Sequence, residues 1–189
     1  MNGLTALWTI DLLGLPGGSV LAVAGAAGTL GSYLVQLAEQ AGLTVIADAA
    51  PADEDLVRGF GADKIVARGS GITERLRALY PHGVDALADA ALIGPALFGA
   101  VRDGGTFVRF RSAGEPGGYE SDATGRIAVR TTFVPDYAGR TDKLHQIREL
   151  AEAGVLIPRV AQTYSADEAA AAHRRLAAGG VRGRLVITF

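Results

Sequence analysis

The stretch Ser19-Val-Leu-Ala-Val-Ala24, followed at once by Gly25-Ala-Ala-Gly-Thr-Leu-Gly31 and then by Ser32 to Ala41, decides the fold. The first run is short, apolar and bounded by glycines, the pattern of a strand buried on both faces of a parallel sheet. In the third, Leu34, Val35, Leu37 and Ala38 fall on one helical face. Thr44-Val-Ile-Ala47 is the next strand-like run. Strand, glycine turn, helix and strand make a βαβ unit of about thirty residues.

Outward from that unit the alternation continues. Leu4 to Leu13 carries apolar residues at helical spacing and stops at Gly14-Leu-Pro-Gly-Gly18. Downstream, a helix is predicted over Asp53 to Phe60, a strand over Lys64 to Ala67, a helix over Ile72 to Leu79 and a strand over Val84 to Ala88. A helix over Pro95 to Val101 is expected to stop at Asp103-Gly-Gly105, with a strand from Thr106 to Phe110. Ser112 to Gly125 reads as a polar, glycine-rich loop, Ile127 to Val134 as β-rich, and Asp142 to Ala153 as a helix. Beyond Arg159 to Tyr164, a helix over Ala166 to Ala178 precedes the strand Gly183 to Phe189, and Ser165 with Glu168 has the spacing of a capping box. The class is therefore α/β: an open, doubly wound parallel sheet with helices on both faces. A short α-β appendage follows it, with the boundary near residue 158.

Composition narrows the partners. The 189 residues are 49% hydrophobic and 20% charged, with 26 glycines and no cysteine, which suits a packed core without disulfides or thiolate metal sites. Such a chain fits a reducing cytoplasm. With net charge −2 and 18 scattered basic residues, nucleic acid is not an expected partner. The most apolar stretch, Leu12 to Leu30, is interrupted by Pro16 and five glycines and so reads as turn, strand and turn rather than a membrane span.

The glycine turn carries the candidate chemistry. A dinucleotide's pyrophosphate needs backbone N–H donors and a helix N-terminus, with no side chain in the way. Ala26, Ala27, Gly28, Thr29, Leu30 and Gly31 would form that cradle. Gly28 would let the backbone approach the phosphates, and Gly31 would let the helix lie close to the first strand. The first glycine of a G-x-G-x-x-G pattern is Ala26 here. A plain packing turn has the same composition, so the flanking strand and helix are what point to a cofactor.

Asn2-Gly-Leu-Thr-Ala6, Val20 to Gly31, Val35-Gln-Leu-Ala38, Gly61-Ala-Asp63, Gly83-Val-Asp85, Gly104-Gly105, Ala172-His173 and Arg182-Gly-Arg-Leu-Val186 together resemble the coenzyme (Rossmann) domain of medium-chain dehydrogenases/reductases. The nearest group in that resemblance is the zinc-independent quinone oxidoreductases and enoyl reductases. It implies binding of NADP(H) or NAD(H) and hydride transfer from NADPH to a quinone or enone. It also implies a GroES-like domain ahead of this chain, to which residues 159–189 would return, so that the chain looks like a member lacking its first half: either a truncated form or a lone nucleotide-binding module without turnover. In zinc-dependent relatives a cysteine ligand aligns with Met1, and His82, His145 and His173 lack ligand spacing, so no zinc is expected. The segment Ile127 to Phe133 corresponds to a strand that pairs with its symmetry mate, implying a homodimer.

Cofactor choice turns on the end of the second strand. An acid there accepts the ribose 2′-OH of NAD; the aligned residue is Ala49, whose small side chain leaves room for a 2′-phosphate and favours NADP(H). Asp48 lies one step earlier, and if it turns inward NAD(H) is favoured. Asp53, Glu54 and Asp55 would repel a phosphate or simply complement the next helix dipole, and Arg58 and Arg68 are the nearby basic candidates. Asp89, after the fourth strand, either borders the cofactor with Ala90 and Ala91 or caps a turn. Arg111, after the fifth, either reaches phosphate or substrate or is solvated. No nucleophilic elbow and no Tyr-x-x-x-Lys pair is present, so no catalytic residue is assigned, as suits chemistry that resides in the cofactor.

Overall fold

Alternate residues of β1 (Val20–Ala24) face opposite sides of a sheet, and both sides are covered. Leu21 and Val23 enter one apolar cluster, Ala22 and Ala24 another, which is why the strand shows no polar alternation. The computed structural model describes residues 1–132, 134–137 and 139–189. The chain divides into two compact units, Met1–Leu156 and Ile157–Phe189.

The first unit holds β1 with β2 (Thr44–Ala49), β3 (Lys64–Ala67), β4 (Val84–Asp89), β5 (Val101–Arg109) and β6 (Ala128–Thr131), in the order β3-β2-β1-β4-β5-β6. Every pairing is parallel. On one face α1 (Asn2–Leu13), α2 (Thr29–Gln40) and α5 (Thr141–Glu152) bury Leu7, Leu34, Val35 and Ile147 against Leu21, Val45 and Ala86. On the other, α4 (Ile72–Leu79) and the 3-10 segment Gly94–Ala100 bury Ile72, Leu76 and Leu97 against Ile46, Leu87 and Phe107. The doubly wound α/β class read from the sequence is the architecture found. Strand order reverses between β1 and β4, so the crevice at their carboxyl ends is the topological switch point where such sheets take ligands.

Four stretches differ from their sequence reading. The segment predicted as a helix from Pro95 is a 3-10 helix, Gly94–Ala100; Gly94 enters it with φ 83°, its N–H held by the Asp89 carboxylate. Asp103-Gly-Gly105 does not stop an element but lies inside β5, where the register against β4 shifts between Val84–Val101 and Ala86–Thr106, as in a bulge. The helix expected over Asp53 to Phe60 is α3 (Glu54–Arg58), preceded by a 3-10 turn at Pro51–Asp53. Of the β-rich run predicted from Ile127, β6 occupies Ala128–Thr131, and Phe133 lies outside the described residues.

The second unit contains β7 (Val160–Ser165) and β8 (Arg184–Thr188), a parallel pair connected through α6 (Ala169–Ala177). The Ser165 N–H and hydroxyl both donate to Glu168 Oε2 at 2.9 Å, the reciprocal arm of the predicted capping box. Among the described residues no helix is long and apolar enough to cross a membrane.

Candidate functional site

The glycine turn sits at the carboxyl end of β1, directly before α2, with β2 on one side and β4 on the other. Gly25 has φ +81°, and a Cβ there would stand 2.9 Å from the Ala90 carbonyl carbon and the Ala91 nitrogen. At Gly31 a Cβ would fall 2.1 Å from the Gly25 carbonyl oxygen. The turn is therefore held against the first helical turn and against the chain leaving β4, in contacts that only glycine permits. Gly28 precedes α2 in extended conformation, and its N–H donates to the Gly25 carbonyl at 3.0 Å. The first-turn amides of this 12-residue helix form an electropositive N-terminus at the switch point. This backbone cradle is the shape and chemistry that a pyrophosphate requires.

Two buried carboxylates flank it. Asp48, near the end of β2, accepts the Gly25 N–H at 2.6 Å and the Ala26 N–H at 3.1 Å, both on Oδ1. Asp89, the last residue of β4, accepts the Ile93 N–H at 3.1 Å, the Gly94 N–H at 2.7 Å and the Tyr119 hydroxyl at 3.2 Å. Those bonds hold a turn in which Leu92 takes φ 58°, the one positive φ of a non-glycine residue among those described. The turn-capping alternative for Asp89 is thus realised in hydrogen bonds.

The structure brings Ala26 to Gly31, Asp48, Ala49, Asp89 and Ala90 together around the end of β1. Ala49 is buried, and its carbonyl accepts the Arg68 N–H at 3.0 Å, which sets exposed Arg68 beside the end of β2. Arg111 lies beyond β5, two strands from β1, and is exposed. Asp53 is buried while Asp55 and Arg58 are exposed. A cleft of about 310 Å³ opens between the loop Gly69–Gly71 and residues Ile93 and Ala96, after β3 and β4.

Tyr119 and Arg109 escaped the sequence reading. The Tyr119 ring packs edge-on to Phe98 and Phe107, with centroids 6.2 and 6.1 Å away. Arg109 donates to the Tyr119 carbonyl and, at 2.7 Å, to the Thr131 hydroxyl. The only available signal was a lone aromatic in an otherwise polar, glycine-rich loop. Burial, then the charge and hydrogen bond of Asp89, push the Tyr119 hydroxyl above the ordinary tyrosine range against the opposing Arg109. Tyr137 is pushed up to about 12 by burial and by its hydrogen bond to Asp11. Both therefore stay neutral in the fold where an unfolded tyrosine ionises, near pH 10. Their stabilisation is complete below about pH 10 and is lost as pH rises toward the folded values. Urea midpoints measured from pH 8 to 11.5 are expected to fall from about pH 10 upward, and the double variant Tyr119→Phe/Tyr137→Phe is expected to flatten that fall. An equally steep fall in the double variant would remove this explanation.

A family model described as zinc-binding dehydrogenase matches residues 60–187. The chain belongs to that family. Within the medium-chain dehydrogenases/reductases it corresponds to the nucleotide-binding domain. The chain is 33% identical to the spectinabilin polyketide synthase system protein NorB of Streptomyces orinoci, over 95% of this chain and 9% of that protein. It is 27% identical to an NAD-dependent alcohol dehydrogenase of Sulfolobus acidocaldarius, over 98% of this chain and 55% of that one. Its fold matches a quinone oxidoreductase of Pseudomonas syringae pv. tomato with TM-score 0.86 at 19% identity, over 99% of this chain and 62% of that one. A mycobacterial protein complexed with NADPH matches with TM-score 0.85 at 22% identity, over 100% and 62%. At these identities the structural likeness carries the fold. The chain therefore spans from about a tenth to about three fifths of the length of these relatives.

The family's name raises the question of a metal. The chain has no cysteine, His82, His145 and His173 are all exposed, and among the described residues no three His, Cys, Asp or Glu side chains converge to hold an ion. These donors alone do not make up a zinc site of the usual three or four ligands.

Proposed function

We propose that this chain is the dinucleotide-binding half of a zinc-independent reductase that passes hydride from a reduced nicotinamide dinucleotide to a quinone or enone. The observation that carries this is the cradle of Gly25 to Gly31 at the switch point, closed by backbone contacts too tight for any side chain. A bound reduced nicotinamide supplies the hydride itself. The protein's part is to bind and orient: the first-turn amides of α2 meet the pyrophosphate, and Ala27, Thr29 and Leu30 lie along that approach. Asp48, Ala49 and Arg68 surround the adenosine end, and the cleft at Gly69–Gly71 and Ile93 suits the adenine. Asp89, Ala90 and Arg111 stand on the nicotinamide side, with no proton-transfer group assigned.

The remaining parts follow the same reading. Residues 1–158 form the dinucleotide-binding domain and residues 159–189 return to a GroES-like domain, which completes the substrate cleft. β6 is an edge strand, and pairing of two such edges would give a homodimer and remove an open edge. Ala49 and Arg68 are the features that would accommodate NADP(H). A binding module without turnover is the second reading, favoured by a cradle built of backbone alone, which can hold a dinucleotide without any reacting side chain.

The test is a titration of the purified chain with NADH and NADPH, following melting temperature and ligand fluorescence. Binding at a hundred times Kd is expected to stabilise the fold by about 2.7 kcal/mol. Binding with quinone reduction supports the reductase, and binding without it supports the module. No melting shift with either cofactor at millimolar concentration would overturn both.

A further inference from the structure

We infer that Thr73, Arg75 and Arg77 of α4 are positioning residues that set the width of the cleft beside Gly69–Gly71, an assignment that rests on the reading above that this cleft receives the adenine ring. Thr73 and Arg77 stand one helical turn apart and so share a face of α4. The Thr73 hydroxyl donates to the Ala96 carbonyl at 2.7 Å. Arg77 donates from Nε to the Gly99 carbonyl at 2.5 Å and from Nη1 to the Pro81 carbonyl at 2.8 Å. Arg75, between them in the chain, takes the loop after β3 instead, donating to the Ala67 and Ser70 carbonyls at 2.9 Å and to Gly69 at 3.3 Å. One helix thus holds both walls of the cleft: the loop after β3 and the 3-10 segment after β4.

The 3-10 segment needs that support. Its hydrogen-bond geometry is poorer than that of an α-helix, and its last carbonyls have few donors within the segment. Guanidinium groups supply them in charge-assisted bonds: besides Arg77, Arg126 donates to the Phe98 and Val101 carbonyls, both at 2.7 Å. Asp89 holds the opposite end through the Ile93 and Gly94 amides. Thr73 and Ala96 both line the cleft, so the bond between them joins the two walls directly. Gly99 permits the approach. A Cβ there would stand 3.2 Å from Thr73 Cγ2, and an added methyl would push Thr73 away from Ala96. The Gly69, Ser70 and Ala96 carbonyls are already engaged, so a flat ring between these walls is held mainly by van der Waals contact, which falls off steeply with spacing.

The experiment compares wild type with Thr73→Val, Gly99→Ala, Arg75→Lys and Arg77→Lys. Valine keeps the shape of threonine and drops the donor, alanine adds the methyl, and lysine keeps the charge without the fork. AMP and nicotinamide mononucleotide, the two halves of a dinucleotide, are titrated separately by calorimetry at millimolar ligand. Amide hydrogen exchange at Leu97 to Val101 is followed without ligand. Each variant is expected to bind AMP roughly three- to tenfold more weakly than wild type and nicotinamide mononucleotide unchanged. Thr73→Val and Gly99→Ala are also expected to exchange faster at Leu97 to Val101. Unchanged AMP affinity in both of these, with wild type binding AMP, overturns the positioning role while the adenine reading stands. Equal weakening of both halves overturns it too, because it marks a general loosening of the fold. If wild type binds no AMP, the positioning role falls together with the adenine reading, and the exchange data still decide whether α4 holds the segment. Should a lysine variant fail to fold, Thr73→Val and Gly99→Ala decide the matter.

Discussion

Gly31→Ala is expected to cost about 4 kcal/mol or more and to abolish cofactor binding, because the added methyl has nowhere to go. Its Cβ would stand 2.1 Å from the Gly25 carbonyl oxygen, 2.7 Å from the Gly25 carbonyl carbon and 2.8 Å from the Ala26 Cα. All three are backbone atoms of the turn, so no rotamer change relieves the overlap. Either α2 lifts from β1, or the turn opens and gives up its bonds to Asp48. Alanine's better helix propensity returns only about 1 kcal/mol, which does not compensate. Gly28→Ala provides the contrast. There a Cβ would meet only the Gly25 oxygen, at 3.2 Å, with φ −74°, so a loss under about 1.5 kcal/mol is expected. Urea unfolding of both variants, with NADH titration, tests the pair. A Gly31→Ala protein as stable as Gly28→Ala would show that the turn is not packed as described.

The βαβ unit was legible because burial on both faces leaves a mark in sequence: Val20 to Ala24 and Val45 to Ala47 lack the polar alternation of a half-exposed strand. The helix ends were legible where a glycine terminates the element, as Gly14 does after α1 with φ 52°. What periodicity does not report is contact at a distance. The bonds from Gly25 and Ala26 to Asp48 span more than twenty residues, and the Tyr119 bond to Asp89 spans thirty. Neither leaves a pattern in its own segment, so the sequence presents Asp48 only as a ribose ligand and gives no sign of the Tyr119 contact. The 3-10 segment from Gly94 and the bulge within β5 have the same origin. Tertiary bonds to Asp89 and a register shift against β4 override the helical and turn signals of residues 94–105.

Asp89→Ala is the second large expected effect, a loss of roughly 3–5 kcal/mol. The carboxylate is fully buried, and it satisfies the Ile93 and Gly94 amides and the Tyr119 hydroxyl. Removing it leaves the buried Gly94 amide, and the part-buried Ile93 amide and Tyr119 hydroxyl, without their acceptor, and releases Leu92, whose φ of 58° carries about 1–2 kcal/mol of strain held in place by the neighbouring bonds. Tyr119→Phe should cost only about 1 kcal/mol, since the ring keeps its packing on Phe98 and Phe107 and Asp89 keeps both amides. Leu92→Gly should be neutral or slightly stabilising, because glycine relieves the strain and Leu92 is 40% exposed. The consequence reaches the cradle. Ala90 and Ala91 abut Gly25, so a turn released at Asp89 removes one wall of the phosphate site and weakens cofactor binding without touching the cofactor. Chemical denaturation of the three variants decides it: a loss under about 1 kcal/mol for Asp89→Ala would mean that the Leu92 turn stands without its carboxylate, and the wall of the cradle with it.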